Sequence, residues 1–315
     1  MRHWIKYATA LTFPFRLAWL LRATRALLVH THYPLRVDLQ AFAVTQLARL
    51  PWVWTAHGKR DTAGRTLEDH RKAARLAKSS ATCITAVSEA TAKWFSETAL
   101  VPVQEIRIAP GGVDLKRYKP RQDVSRSGGP CRFCGATRIR FGALGRLSRE
   151  KGFDVLLSGA RLLLSNYRGA CFTIYGTGAE ERGLQEEAKR LGIDAHVHWP
   201  GMTLDPADAL LNFDVFVMPS RTEGFGLSLV EALACGLPCI ASRVGGIPEI
   251  LGEDGGIMVP PDDPEALAEA MLKMMEPEVR MHYSARAPEI AKRFSIEECA
   301  RRYAEIYEEL LAGRG

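Results

Sequence analysis

Acidic residues are missing from the first 37 positions, and nowhere does the chain run for the roughly 18 residues that a membrane-crossing helix needs without meeting a charge. Lys6, Arg16, Arg22 and Arg25 interrupt the most apolar part of the start, so no transmembrane helix is expected. A cleavable secretory pattern is also lacking, and the seven cysteines are an odd number lying mostly in apolar runs. A reducing cytoplasm is therefore the expected compartment, with a peripheral place at the inner membrane face as a further expectation. No second C-x-x-C answers Cys131-Arg-Phe-Cys134, so a four-thiolate zinc knuckle within one chain is not expected. No internal repeat at a solenoid period is visible.

What is present is ordinary globular material. With 315 residues, 47% of them hydrophobic and 25% charged, the chain has room for two domains. The net charge of +6 favours an anionic partner without choosing among phosphorylated small molecules, nucleic acid and an acidic membrane. Six basic residues and six aromatics crowd residues 1–37. That mixture suits a membrane surface, and it equally suits a first-domain helix over Ala18 to Val29 with its arginines on the wet side.

Short β-branched runs alternate with helical patterns. Ala26 to His30, Trp52 to Ala56, Thr82 to Val87 and Ile106 to Ala109 read as buried parallel strands, with crossover helices over Arg36 to Leu50 and Thr66 to Ser79. A stretch rich in Pro, Gly, Ser and Arg from Lys119 to Arg138 breaks the pattern as a linker would. The alternation resumes with strands at Arg140 to Leu144, Cys171 to Tyr175, His196 to Trp199, Val215 to Met218, Pro238 to Ala241 and Ile257 to Val259, and an amphipathic helix from Ser295 to Leu311 ends the chain. The expected layout is a first α/β domain over residues 1–120, a linker over 121–138, a second over 139–291, and a terminal helix over 292–315 crossing back to the first. Two such domains should face a cleft at the carboxyl ends of their strands.

Two strand-to-helix loops carry the chemistry. In Gly145-Arg-Leu-Ser-Arg-Glu-Lys-Gly152, Arg146 and Lys151 are placed to converge on one phosphate, or else are solvated loop cations. In Glu223-Gly-Phe-Gly-Leu-Ser-Leu-Val-Glu231, Gly224 and Gly226 let backbone amides approach an anion at a helix amino terminus. Glu223 in the loop and Glu231 one turn into the helix then offer carboxylates to sugar or ribose hydroxyls, or else the segment is a capped helix with two surface acids. Asp262-Asp263 reads as a turn and amino cap before Pro264.

The Glu-Gly-Phe-Gly-Leu-x-x-x-Glu segment resembles the signature of the family-4 retaining glycosyltransferases. The loop from Gly145 to Gly152, Tyr175-Gly-Thr-Gly-Ala-Glu180 and Ser242-Arg-Val-Gly-Gly-Ile-Pro-Glu-Ile250 resemble further blocks of that family in the same order. In the first domain Trp52-Val-Trp-Thr-Ala-His-Gly58 and the Ala-Val-Ser-Glu89 turn are similar to its other landmarks. The resemblance implies a GT-B fold of two Rossmann-like domains and transfer of a hexose from a nucleotide diphosphate sugar to a lipid-linked or cell-envelope glycan. It puts Arg146 and Lys151 on the donor diphosphate, Glu231 on the ribose, Glu223 and His57 at the transferred sugar, and the backbone of Gly224, Phe225, Gly226 and Leu227 at sugar and phosphate. Gly176, Gly178, Gly201 and Met202 line its base pocket. No metal or other cofactor is implied, and no nucleic acid partner. An anionic membrane surface reached through residues 1–36 remains an expected partner.

The resemblance begins partway through the family's first domain, so that domain is expected to lack its usual opening strands. Gly111 stands where the family has Asn and is expected to keep the turn through left-handed dihedrals. Two other classes fit the same fold: a partner-dependent or non-catalytic nucleotide-sugar-binding subunit, and a sugar-nucleotide hydrolase or epimerase.

Overall fold

The computed structural model describes residues 15–32, 44–58 except 46, 83–120, 131–132 and 138–312. The chain divides into two compact units, Met1–Pro110 with Cys299–Gly315, and Gly111–Glu298.

In unit 1 four parallel strands lie in sequence order: β1 (Val29–His32), β2 (Trp52–Ala56), β3 (Cys83–Ala86) and β4 (Ile106–Ile108). Both faces of β2 are buried, which is why it reads as an unbroken apolar run rather than an alternating one. One face sends Trp52, Trp54 and Ala56 against Phe95 of helix α1 (Glu89–Ala99), with the Trp54 and Phe95 rings 4.9 Å apart. The other face packs Val53, with Cys83 and Ala109, against Ile306 and the half-buried Tyr303, Tyr307 and Leu310 of the terminal helix. Ser88 caps α1, its hydroxyl accepting from the Thr91 amide at 3.0 Å.

The start differs from the expected pattern. Residues 15–23 are helical, but the helix does not reach Val29, and β1 begins at Val29 rather than Ala26. Arg25 takes a left-handed conformation, with φ of 55°, and the Thr24 hydroxyl donates to the Leu20 carbonyl at 2.9 Å, closing the helix end. The helix expected over Arg36 to Leu50 falls partly, and that over Thr66 to Ser79 wholly, outside the described residues.

Unit 2 is a six-stranded, all-parallel sheet in the order β10-β9-β8-β5-β6-β7. Its strands are β5 (Ile139–Leu144), β6 (Ala170–Tyr175), β7 (Val197–Gly201), β8 (Val215–Met218), β9 (Cys239–Ser242) and β10 (Ile257–Val259). The crossovers run through α2 (Phe153–Asn166), α3 (Glu181–Arg190), α4 (Pro206–Leu211), α5 (Leu227–Ala234) and α6 (Ile247–Leu251); α7 (Pro264–Lys273) and α8 (Pro277–Lys292) follow the last strand, and α9 (Ile296–Ala312) belongs to unit 1 from Cys299 onward. After β7 the chain returns to the far side of β5, so the strand order reverses between β5 and β8. That reversal opens the crevice where ligands bind in parallel sheets.

The sequence pattern overlooked α4, α6 and α8. The first two are short, and α8 contains Pro288 and buries only Arg280, Ala287 and Ala291, so no apolar stripe marks it. Asp263 does cap α7, accepting from the Ala266 amide at 2.8 Å. Residues 111–120 join unit 2, where the Val113 amide donates to the Phe294 carbonyl at 2.9 Å and the Ile296 amide donates back to Val113 at 2.9 Å. Gly111 is not left-handed; a Cβ there would instead come within 2.9 Å of the Leu227 side chain, so close approach is what it permits.

A buried ion pair fastens β5 to β8 at the reversal. Arg140 donates from Nε and Nη2 to the two Asp214 oxygens at 2.8 and 2.7 Å, its backbone amide adds a third bond at 2.9 Å, and the Asp214 amide returns one to the Arg140 carbonyl at 2.8 Å. The two side chains are 10% and 2% exposed, so neither charge has water to fall back on. Asp214→Ala should lower the unfolding free energy of unit 2 by about 3–5 kcal/mol, because the buried guanidinium loses its carboxylate partner. Urea denaturation measures it, and a loss under about 1 kcal/mol would mean that water replaces the carboxylate.

Candidate active site

The loops after β5 and β8 are locked together at the strand reversal. Gly152 sits at φ of +64°, and a Cβ there would lie 2.0 Å from the Pro219 carbonyl oxygen. Arg221, in the β8 loop, donates to the Arg149 carbonyl at 2.7 Å, forks onto Asp154 at 2.7 and 2.6 Å, and reaches Asp262 at 2.5 Å. Those carboxylates hold its guanidinium well above the usual arginine range. The loop after β9 closes from the other side, since Gly245 passes so near the Glu223 backbone that a Cβ would fall 1.6 Å from its carbonyl oxygen.

This scaffold aims the predicted residues. Lys151 Nζ lies 2.6 Å from Glu223 Oε2, both side chains mostly buried, and the Ser220 hydroxyl approaches the same oxygen at 3.5 Å. Arg146 is largely exposed and makes a loose contact, 3.7 Å, with Glu150. A cavity of about 330 Å³ opens beside it, lined by Leu144, Gly145, Arg146, Tyr175, Gly176, Thr177, Met202 and Thr203. The Gly176 amide donates to the Gly201 carbonyl at 2.9 Å, which draws the turns after β6 and β7 to one wall of that cavity. Gly176 and Gly178 are glycines because the β5 loop crosses directly over them: Cβ atoms there would lie 1.8 Å from the Gly145 oxygen and 2.2 Å from the Leu147 oxygen.

Gly224 opens the turn into α5. Phe225 is buried, its ring edge-on to Phe294 at 5.3 Å. Gly226, at φ of 106°, is the residue from which α5 starts, and Leu227 is the first residue of that helix and partly exposed. The helix amino terminus therefore carries amides with no intrahelical partner. Glu231 has its own partner: burial raises its carboxyl above the usual range, and the Tyr118 hydroxyl hydrogen-bonds it. Tyr118 is itself pushed up to about 12 by burial and that carboxylate. Of the predicted set, Arg146, Gly176 and Met202 line one cavity and Gly201 braces its wall, Lys151 and Glu223 form a pair, and Glu231 has a separate partner.

His57 belongs to unit 1, where it follows β2. Its Nε2 is 3.0 Å from His32 Nδ1. His30, on the same face of β1, lies 2.6 Å from the Thr55 hydroxyl and 2.5 Å from the Tyr307 hydroxyl. Sequence reasoning missed Tyr118, His30 and His32; only the His-Thr-His spacing, which puts both rings on one face of a strand, offered a signal.

Comparison with known proteins agrees with this architecture. Residues 138–277 match the family model described as glycosyl transferases group 1, and residues 5–117 that of glycosyltransferase family 4. The D-inositol 3-phosphate glycosyltransferase of Corynebacterium jeikeium is 30% identical over 306 residues, covering 90% of this chain and 72% of that one. A lipopolysaccharide core biosynthesis mannosyltransferase of Rhizobium meliloti is 31% identical over 211 residues, 64% of this chain and 60% of that one. Among solved structures, Anabaena HepE in complex with UDP and glucose superimposes with a TM-score of 0.82 at 22% identity, covering 93% of this chain and 80% of that one.

Burial, and then the neighbouring His32 and His57, lower the pKa of His30 to about 4. The folded chain keeps that ring neutral while the unfolded chain protonates it near pH 6.5, so the contribution is complete above about pH 6.5 and is lost as pH falls toward 4. Stability of unit 1 should decline across that window, and His30→Gln should flatten the decline; an NMR titration placing His30 near 6.5 in the folded protein would contradict it. By its two family matches, its GT-B pair of parallel-sheet units and its relatives, the chain belongs to the group 1, family 4 glycosyltransferases.

Proposed function

We propose that the chain transfers a hexose from a nucleoside diphosphate sugar, with retention at the anomeric carbon, to a lipid-linked or cell-envelope glycan. The observation that carries this reading is the Lys151–Glu223 pair, which joins the phosphate-type loop after β5 to the glycine turn heading α5. A diphosphate arriving there meets Arg146, the Lys151 ammonium and the amides at the start of α5, and these neutralise the charge that leaves with the nucleotide. That supply of positive charge is what makes a metal unnecessary in this reading. The cavity between Arg146, Gly176 and Met202 receives the base, Glu231 holds the ribose, and Glu223, exchanging Lys151 for sugar hydroxyls, holds the hexose. The relatives' names, an inositol phosphate glycosyltransferase and a lipopolysaccharide mannosyltransferase, support a hydroxyl acceptor of the envelope type. The UDP-bound neighbour supports a uridine donor as the first to test.

Each charged contact to the diphosphate contributes about 1.5–3 kcal/mol. Arg146→Ala should therefore weaken binding of the free nucleoside diphosphate by about tenfold or more in calorimetry, and Glu231→Ala should weaken it through the ribose. Glu223→Ala and His57→Ala should spare nucleotide affinity and abolish sugar transfer. Unchanged affinity in Arg146→Ala removes the phosphate role, and release of free sugar at the same rate with and without acceptor makes the protein a hydrolase.

A peripheral position at an anionic membrane belongs to the same reading. Among the described residues no helix is long and apolar enough to cross a bilayer, but Phe15, Trp19, Leu20 and Leu27 are exposed next to the exposed Arg16, Arg22 and Arg25. Such a surface combines aromatic insertion with attraction to acidic headgroups. The protein should sediment with phosphatidylserine-containing vesicles at low salt and be released near 0.5 M salt, where screening shortens to about 4 Å. Trp19→Ala with Arg25→Ala should weaken the binding; equal binding to neutral vesicles would exclude the electrostatic part.

A further inference from the structure

Unit 2 contains a cluster of soft metal ligands that the transfer reaction does not use. Cys131 precedes β5 and is buried. Cys171 is the second residue of β6, also buried, and His198 is the second residue of β7. The parallel register sets Arg140 opposite Cys171 and Thr173 opposite His198. Side chains alternate along a strand, so Cys171, Thr173 and His198 share one face, while Phe172, Ile174 and Val197 point to the other and enter the main core. On the first face the two sulfurs and a ring nitrogen of His198 all lie within 4.8 Å of one another.

We propose that Cys131, Cys171 and His198 bind a zinc ion that holds the segment before β5 against the sheet. Tetrahedral zinc with Zn–S bonds of about 2.3 Å and Zn–N bonds of about 2.0 Å sets its ligand atoms about 3.5–3.8 Å apart, so the observed cluster needs only a small contraction to close on the ion. Two thiolates balance the double charge and the imidazole binds neutral; the two thiol protons pass to solvent. Sulfur and imidazole donors select zinc over magnesium or calcium, which require oxygen. The sequence also opens a C-x-x-C pair at Cys131, the spacing with which zinc sites take two thiolates from one turn. Its second cysteine, Cys134, lies outside the described residues. The cluster stands near the amino end of β6, whereas the cavity beside Arg146 begins at Tyr175, four residues on and about 13 Å along the strand. It is therefore separate from the donor site, and with three protein ligands a water takes the fourth tetrahedral position.

Elemental analysis of the full chain, expressed with zinc and purified under reducing conditions, should find about one zinc per chain. Cys171→Ser and His198→Ala should lose most of it, and Cys235→Ser, a buried cysteine of the same unit outside the cluster, should keep it. Because buried variants can misfold, the unmutated protein supplies the second measurement: stripped of metal and titrated with Co²⁺, it should develop thiolate-to-cobalt charge-transfer absorption and the visible bands of a tetrahedral site, saturating at one equivalent. Zinc-free protein that shows no thiolate–cobalt band overturns the proposal. So does a Cys131–Cys171 disulfide found by mass spectrometry in freshly purified protein.

Discussion

The donor half depends on two loops being able to occupy almost the same space. Where the sheet of unit 2 reverses, the turn after β5 must pass the end of β8, and it does so only because Gly152 has no side chain to strike the Pro219 carbonyl 2.0 Å away. Arg221 then holds the approach with bonds to Arg149, Asp154 and Asp262, drawing on the loop after β5, the first turn of α2 and the turn before α7. Beneath it, Arg140 and Asp214 fasten the same two strands. Lys151 and Glu223 meet at 2.6 Å as a consequence of this arrangement.

That pair gives the site an internal balance. In water an ammonium and a carboxylate attract each other weakly, but a mostly buried pair interacts more strongly and resists separation. In the proposed reading a diphosphate carries more charge than one carboxylate and is met by the helix terminus as well, so it would compete for Lys151 on favourable terms. Holding the lysine between turnovers keeps its side chain ordered and its charge near the place where it is needed.

Unit 1 uses different physics. Its central strand is buried on both faces, by Phe95 and its neighbours on one side and by the tyrosines of the terminal helix on the other. The carboxyl ends of β1 and β2 collect three imidazoles, His30, His32 and His57, with Thr55 and Tyr307 as partners. Burial, and then the neighbouring His32 and His57, disfavour protonation of His30, so that ring stays neutral and hydrogen-bonded at ordinary pH.

The local facts of this protein were written in its sequence. Strand cores such as Trp52 to Ala56 and Val215 to Met218, the cap at Asp263 and the helix starting at Leu227 follow from periodicity and turn chemistry that act over a few residues. So do the two glycine-bearing turns that carry Arg146, Lys151 and Glu223, each placed between a strand and a helix. What only the tertiary structure decided is which residues meet. The pairing of Lys151 with Glu223 spans 72 positions, that of Glu231 with Tyr118 crosses to a segment read as belonging to the first domain, and His30 finds Tyr307 across 277. The helix over Pro277–Lys292 shows no apolar stripe, and Cys131 reaches Cys171 and His198 only through the register of β5, β6 and β7. Such contacts depend on strand order and register, which no window of neighbouring residues contains.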